Sequence, residues 1–421
     1  MILKAQKVII GDGITVINNG AVMIKDGKIF AVGVADAIEK AYPQCELMDY
    51  GDASILPGLI DMHVHIGNVQ TQPDAALYND KLKALMSAYM LKIALEKGVT
   101  TIRDVGSEEG MCATLKTAAQ KGFIEIPQLL TTIRGISMTG GHCWELDSTF
   151  VADSPWGVRK AIRTNIQNGA DWIKIMTSHR SFTPEYTMEE LIAAVDECHR
   201  VNKKICAHAS NPPSIGMCIE AGFDTIEHAT YLTVEQAKLM KEKGIAWVPT
   251  LSAYTYINEF HEKIAKEMMV DIDMICPERI DELFQLLRST RPDFDLSVFD
   301  TERVRTFGYF KKAADQYISN FKQLAETGVV ILAGTDMVLD RAPVTPVNLE
   351  LEYMVQYGLS NLDAVKAATS APAKVLGLNH QIGLLLEGLH ADIAIFKGDV
   401  ETDITALKTC VGVFQNGKRI I

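Results

Sequence analysis

Residues 59–65 read LIDMHVH, in which apolar and polar side chains alternate up to the pair His63 and His65. Alternation with period two predicts a β-strand, and residues i and i+2 of a strand share a face. Both imidazoles can therefore be offered to one ion. Seven more short apolar runs follow: TTIRDV (100–105), QLLTTI (128–133), WIKIM (172–176), KICAHA (204–209), TIEHA (225–229), IAWVPT (245–250) and VVILAGTD (329–336). Helical patterns such as EELIAAVDECHRVN (189–202) separate most of them. Eight strand-then-helix units predict an α/β fold, a (β/α)8 TIM-type barrel, over residues 57–380. The connection over 253–320 is too long for a plain loop and predicts a lid or helical insertion.

The two ends of the chain have a different character. AVMIKDGKIFAVG near the start and GVFQNGKRII at the end are β-runs turning at Asp26-Gly27 and Asn416-Gly417, dipeptides that favour tight hairpins. Residues 1–56 and 381–421 are expected to form one composite β-sandwich domain beside the barrel.

Composition narrows the function. Over 421 residues, 41 basic against 53 acidic side chains give a net charge of −12, the wrong sign for a binder of nucleic-acid phosphates. No uncharged apolar run approaches the roughly 18 residues of a membrane span. Eight cysteines without a C-x-x-C pair read as reduced thiols. With no evident signal peptide at the start, the expectation is a cytoplasmic protein. Its expected partners are a small-molecule substrate and copies of itself, with no nucleic acid and no membrane.

Three further residues recur at the ends of predicted strands: His208 in KICAHA, His228 in TIEHA and Asp336 in VVILAGTD. Barrel active sites are assembled at the C-terminal ends of strands, and four His with one Asp form a donor set that Zn²⁺ accepts. Lys174 stands in the middle of the apolar strand WIKIM. A buried ammonium must be paired or neutralised. Either Lys174 pairs with a carboxylate such as Asp104 or Asp171, or its amine carries CO₂ as an anionic carbamate. Cys206 shares a face with His208 and reads as a small barrel-filling thiol.

The ordered set of PGLIDMHVHIG, TTIRDVG, TGGH, SPW, GADWIKIM, AHA, EHATYL and AGTDM resembles the amidohydrolase superfamily across essentially the whole chain. It further resembles the imidazolonepropionase-like branch that includes Xaa-Pro dipeptidases and zinc carboxypeptidases. The resemblance implies a binuclear metal-dependent hydrolase of amide or peptide bonds in a small substrate such as a dipeptide or N-acyl amino acid. It implies two divalent ions, zinc foremost: one on His63, His65 and Asp336, the other on His208 and His228, with carboxylated Lys174 bridging both. Two such ions generate a bridging hydroxide and polarise the scissile carbonyl. Asp336 is then the expected general base and acid. His142 in MTGGH and Tyr231 after His228 match groups that contact the substrate carbonyl or its terminal carboxylate.

The chain departs from that branch after the lysine strand, where MTSHRSFTPEY replaces a Gly-rich segment. His179 and Arg180 occupy this loop, and Arg180 could pair with a substrate carboxylate. Two other readings share the fold: a hydrolase of a non-peptide amide, cyclic amide or ester, and a mononuclear deaminase if Lys174 is not carboxylated. A non-catalytic scaffold should have lost ligands, and all six are present.

Overall fold

The computed structural model describes residues 1–67, 79–108, 110–178, 183–255, 266, 280–290, 292, 301–338 and 347–421. The predicted parallel strands form two sheets. In one, Thr149–Val151, Gly135–Ser137, Trp172–Met176, Lys204–Ala209, Thr225–His228 and Ala246–Val248 lie side by side in that order, all parallel. In the other, Met337–Val338, Leu59–His65, Val99–Asp104 and Gln128–Thr131 do the same. Helices run between most of them, among them Ser154–Gln167, Met188–His199 and Val234–Lys243. Met188–His199 starts at Thr187 in a capping box with Glu190, which satisfies two of the backbone donors a helix start leaves open.

The two sheets touch at both margins through individual hydrogen bonds. Asp171 N–H donates to Thr131 O at 2.8 Å on one side. On the other, Leu332 N–H donates to Trp247 O at 2.9 Å and Met62 N–H to Ala333 O at 2.9 Å. The described residues thus give an α/β fold with parallel sheets, without a continuous closed ladder. The eighth predicted strand, 329–336, is reduced to an isolated bridge between Ile331 and Trp247. Its second half cannot stay extended, because Asp336 takes a left-handed φ of 52°. Gly334 lets this segment press against the His63 strand: a Cβ there would lie 2.5 Å from Val248 Cγ1 and 2.9 Å from His63 Cβ.

The strands of both chain ends join one eight-stranded sheet. Its path runs Lys418–Arg419, Cys410–Gln415, Ile393–Lys397, Ala53–Pro57, Ile2–Ile9, Val16–Lys25 and Lys28–Val34, with Leu47–Asp49 alongside Ile2–Ile9. The chain ends are stitched where Ile55 pairs antiparallel with Ile395. Both hairpin dipeptides turn as their sequence requires, with positive φ at Asp26, Gly27, Asn416 and Gly417. The two turns also meet, and a Cβ on Gly417 would lie 2.7 Å from Gly27 Cα. Gln415 ties this sheet to the parallel strands by donating to Thr100 O and Ile126 O. Within the long connection, the described residues form helices Ile280–Thr290 and Thr301–Glu326. No helix of the described residues is long and apolar enough to cross a membrane.

Candidate metal centre and active site

The predicted ligands gather at the C-terminal ends of the parallel strands. Among the described residues, one trio of ligand atoms from His63, His65 and Asp336 lies within 4.8 Å of one another. The strand alternation carries His63 and His65 to it, while the Asp336 N–H bonds to His63 O at 2.8 Å and sets the carboxylate beside them. Buried Asp61 holds the two segments in register. It accepts from His63 N–H at 3.1 Å, from Thr335 N–H at 3.1 Å and from the Thr335 hydroxyl at 2.8 Å. Burial pushes the Asp61 carboxyl up to about 7, against those donors.

The protons on the two imidazoles follow from their partners. His63 Nδ1 lies 2.7 Å from a Glu227 carboxylate oxygen, and His65 Nδ1 lies 2.9 Å from Gly106 O. A carboxylate and a carbonyl only accept, so each Nδ1 is a donor, and in the neutral ring that a metal ligand must be Nε2 carries the lone pair. Those Nε2 atoms stand 3.2 Å and 3.3 Å from Asp336 Oδ1. Fully buried His63 Nε2 makes no hydrogen bond. Neutral rings in this arrangement turn two nitrogen lone pairs on a carboxylate oxygen, which a cation between them would relieve. The donor set therefore fits a divalent ion.

Glu227 is itself anchored. Burial alone would push its carboxyl up, but the Arg103 guanidinium and His63 outweigh it and hold it well below the usual carboxylate range. Arg103 Nη2 donates to both Glu227 oxygens at 2.9 Å, and its Nε donates to Met62 O at 2.7 Å. Such an outer partner fixes the tautomer and ring orientation of a ligand histidine.

His228 and His208 adjoin the trio. The His228 ring centroid is 4.9 Å from that of His63 and 4.5 Å from that of His208. His228 Nδ1 donates to Thr250 Oγ1 at 2.8 Å, because the Thr250 hydroxyl spends its own proton on Pro249 O. His208 Nε2 has the Ser210 hydroxyl at 3.3 Å. Burial holds both imidazoles well below their ordinary value, so they are neutral, as a metal ligand must be. No second trio of His, Cys, Asp or Glu atoms converges as tightly among the described residues.

Lys174 is buried in Trp172–Met176, paired with Cys206 in the next strand, and its charge acts on His65, His208, His228 and Glu227. Neither carboxylate considered as its partner is free. Asp171 binds Lys116 at 2.7 Å, while Asp104 accepts from Ile66 N–H and the Thr131 hydroxyl.

His142 stacks on His208 with ring centroids 4.2 Å apart, and Cys143 Sγ lies 3.4 Å from its Nε2. Tyr231 is tied to the His208 strand end by its N–H, which donates to Ser210 O at 3.1 Å. His179 and Arg180 lie outside the described residues. The sequence reading missed Asp61, Arg103, Glu227 and Thr250. Arg103 had a usable signal, a charged residue inside a buried strand, the same one that singled out Lys174.

A family model described as "Amidohydrolase family" matches residues 54–420. The chain belongs to the amidohydrolase family. It is 28% identical to an ochratoxinase of Aspergillus niger over 99% of this chain and 86% of that protein. The crystal structure of the A. niger ochratoxinase superposes with TM-score 0.78 at 26% identity, covering 99% of this chain and 95% of the other. A Xaa-Pro dipeptidase crystallised with methionine in its active site gives TM-score 0.79 at 26% identity, over 99% and 98% of the two chains. An imidazolonepropionase of Brucella anthropi is 26% identical over 59% of this chain and 68% of its own length. This amidohydrolase is a hydrolase of the amide-cleaving type.

Proposed function

We propose that this amidohydrolase is a binuclear metal-dependent hydrolase that cleaves the amide or peptide bond of a dipeptide or N-acyl amino acid. The observation that carries the reading is the buried, unbonded Nε2 of His63 facing Asp336 Oδ1. His63, His65 and Asp336 would hold one ion and His208 and His228 the other, with Lys174 between them as its carbamate. A buried amine engaged by neither Asp104 nor Asp171 supports that modification. Bound divalent ions, zinc foremost, supply Lewis-acid polarisation of the carbonyl and lower the pKa of water. Asp336 accepts the proton of the attacking water and hands it to the leaving amine. Its place between His63, His65 and His228 keeps it at the reacting atoms for both transfers.

His142, Tyr231 and Arg180 would receive a substrate carboxylate, since a buried carboxylate needs charge-assisted donors. The methionine in the active site of the dipeptidase relative is an amino acid with such a group. The fold we propose for this chemistry is a closed (β/α)8 barrel over 57–380, with 1–56 and 381–421 as the β-sandwich. The setting we propose is a cytoplasmic homo-oligomer.

Two other readings share the same centre. One relative is named for a toxin rather than a dipeptide, which keeps a non-peptide amide, cyclic amide or ester as the second reading. The one tight trio among the described residues could serve a single ion, which keeps the mononuclear deaminase as a third reading. A panel of free N-acyl amino acids, their C-terminal amides and amino-heterocycles distinguishes them. Turnover of the acids, with a Tyr231→Phe loss of roughly a hundredfold in kcat/KM confined to them, supports the proposal. Equal turnover of acids and amides overturns carboxylate recognition, and ammonia released from amino-heterocycles alone selects the deaminase.

A further inference from the structure

His228 ends its strand with a backbone that an L-residue seldom adopts. Its φ is 63°, and that of the next residue, Ala229, is 46°. Left-handed backbone at two consecutive non-glycine residues persists only where the surroundings hold it. Here the hold is on the carbonyl. His228 O accepts Trp247 Nε1–H at 2.7 Å and lies 3.0 Å from the Tyr317 hydroxyl.

Tyr317 comes from the helix Thr301–Glu326, 89 positions from His228. Its hydroxyl also lies 2.9 Å from Pro249 O, the carbonyl that receives the Thr250 proton at 2.7 Å. Thr250 in turn accepts His228 Nδ1–H at 2.8 Å. The one Tyr317 proton is shared between the His228 and Pro249 carbonyls, so this hydroxyl joins the His228 backbone to the Pro249–Thr250 segment that holds the His228 ring. The ring of Tyr317 is buried, 5.6 Å from that of Tyr254, which packs edge-on against the His228 imidazole at 5.7 Å.

We infer that Tyr317 is a positioning residue for the metal centre: its hydroxyl fixes backbone and ring of His228 together, so that Nε2 is presented to the ion. The long connection, to which Tyr317 belongs, then contributes to metal binding. This inference rests on the metal-site reading above. An outer partner of a metal ligand is worth roughly tenfold to a hundredfold in metal affinity.

The test is competition for zinc between the apoprotein and a chromophoric chelator. Tyr317→Phe removes the hydroxyl and keeps the ring. It should weaken the more labile zinc by roughly tenfold or more. Leu324→Ala, on the same helix and without a polar group, should lower the melting temperature and leave zinc affinity within about twofold, a bound we set well below that loss. Site-specific 4-aminophenylalanine at position 317, which restores a donor, should recover most of the affinity. If wild-type apoprotein binds no zinc, the metal-site reading itself fails. If the wild type binds zinc and Tyr317→Phe binds it equally, Tyr317 is only a packing residue and the inference is overturned. Should Tyr317→Phe not fold, 3-fluorotyrosine at position 317 keeps the hydroxyl and reports by ¹⁹F NMR. Coupling is reciprocal, so a resonance that zinc shifts supports the inference and one it leaves unmoved contradicts it.

Discussion

Glu227 takes the Nδ1 proton of His63 in a 2.7 Å hydrogen bond while Arg103 grips the same carboxylate with two bonds of 2.9 Å, and all three side chains are fully buried. Glu227→Gln keeps the shape but can present an amide donor to Nδ1, which would put the wrong tautomer at the ion. Zinc affinity at the His63 site should drop roughly tenfold to a hundredfold, read by chelator competition. Arg103→Met leaves a buried carboxylate unpaired and should cost about 3–5 kcal/mol of stability, measured by urea unfolding. A fully stable Arg103→Met protein would mean that Glu227 does not depend on this ion pair.

Asp336→Asn separates the two duties assigned to that residue. The amide oxygen can still ligate, but it cannot take a proton. We expect kcat to fall by at least ~10²-fold, the lower end of general-base contributions, while elemental analysis still finds metal. Full metal with near-normal kcat would assign proton transfer to another group.

Lys174 decides between one and two ions. Lys174→Ala should abolish turnover and release a metal, and millimolar short-chain carboxylic acids should restore part of both by supplying an anionic oxygen. Lys174→Arg cannot form the carbamate ligand. If the Arg variant turned over at the wild-type rate, the bridging role would be untenable.

Glu350 should make stability depend on pH. Burial pushes its carboxyl from 4.5 to about 8, although Leu251 N–H and Ser252 N–H donate to it at 2.9 Å and 2.6 Å. The folded protein prefers the protonated form, so this contribution is complete below 4.5 and is lost as pH rises through about 8. Urea midpoints taken between those limits should fall with pH more steeply in the wild type than in Glu350→Gln. Parallel pH curves for the two proteins would contradict the assignment.

Much of the candidate site was legible because its signals are local. His63 and His65 are two apart on one strand, and the observed bounds of Leu59–His65, Trp172–Met176 and Lys204–Ala209 coincide with the expected ones. Short apolar runs between helical patterns allow little else. Residues whose meaning depends on distant partners were not legible. Glu227 and Arg103 are 124 positions apart, and Tyr317 reaches His228 from 89 positions away. The last strand failed for a local reason that alternation does not encode. Thr335 gives its hydroxyl and N–H to Asp61 and Asp336 turns left-handed, so the segment bends toward the ligands instead of continuing its ladder.

Counting the metal tests the central claim most directly. Wild-type protein grown with zinc and bicarbonate, desalted and analysed by plasma mass spectrometry, should hold about two divalent ions per chain, as a two-metal site requires, and His63→Ala should lose at least one. A wild type that retains no stoichiometric divalent ion under these conditions would contradict it.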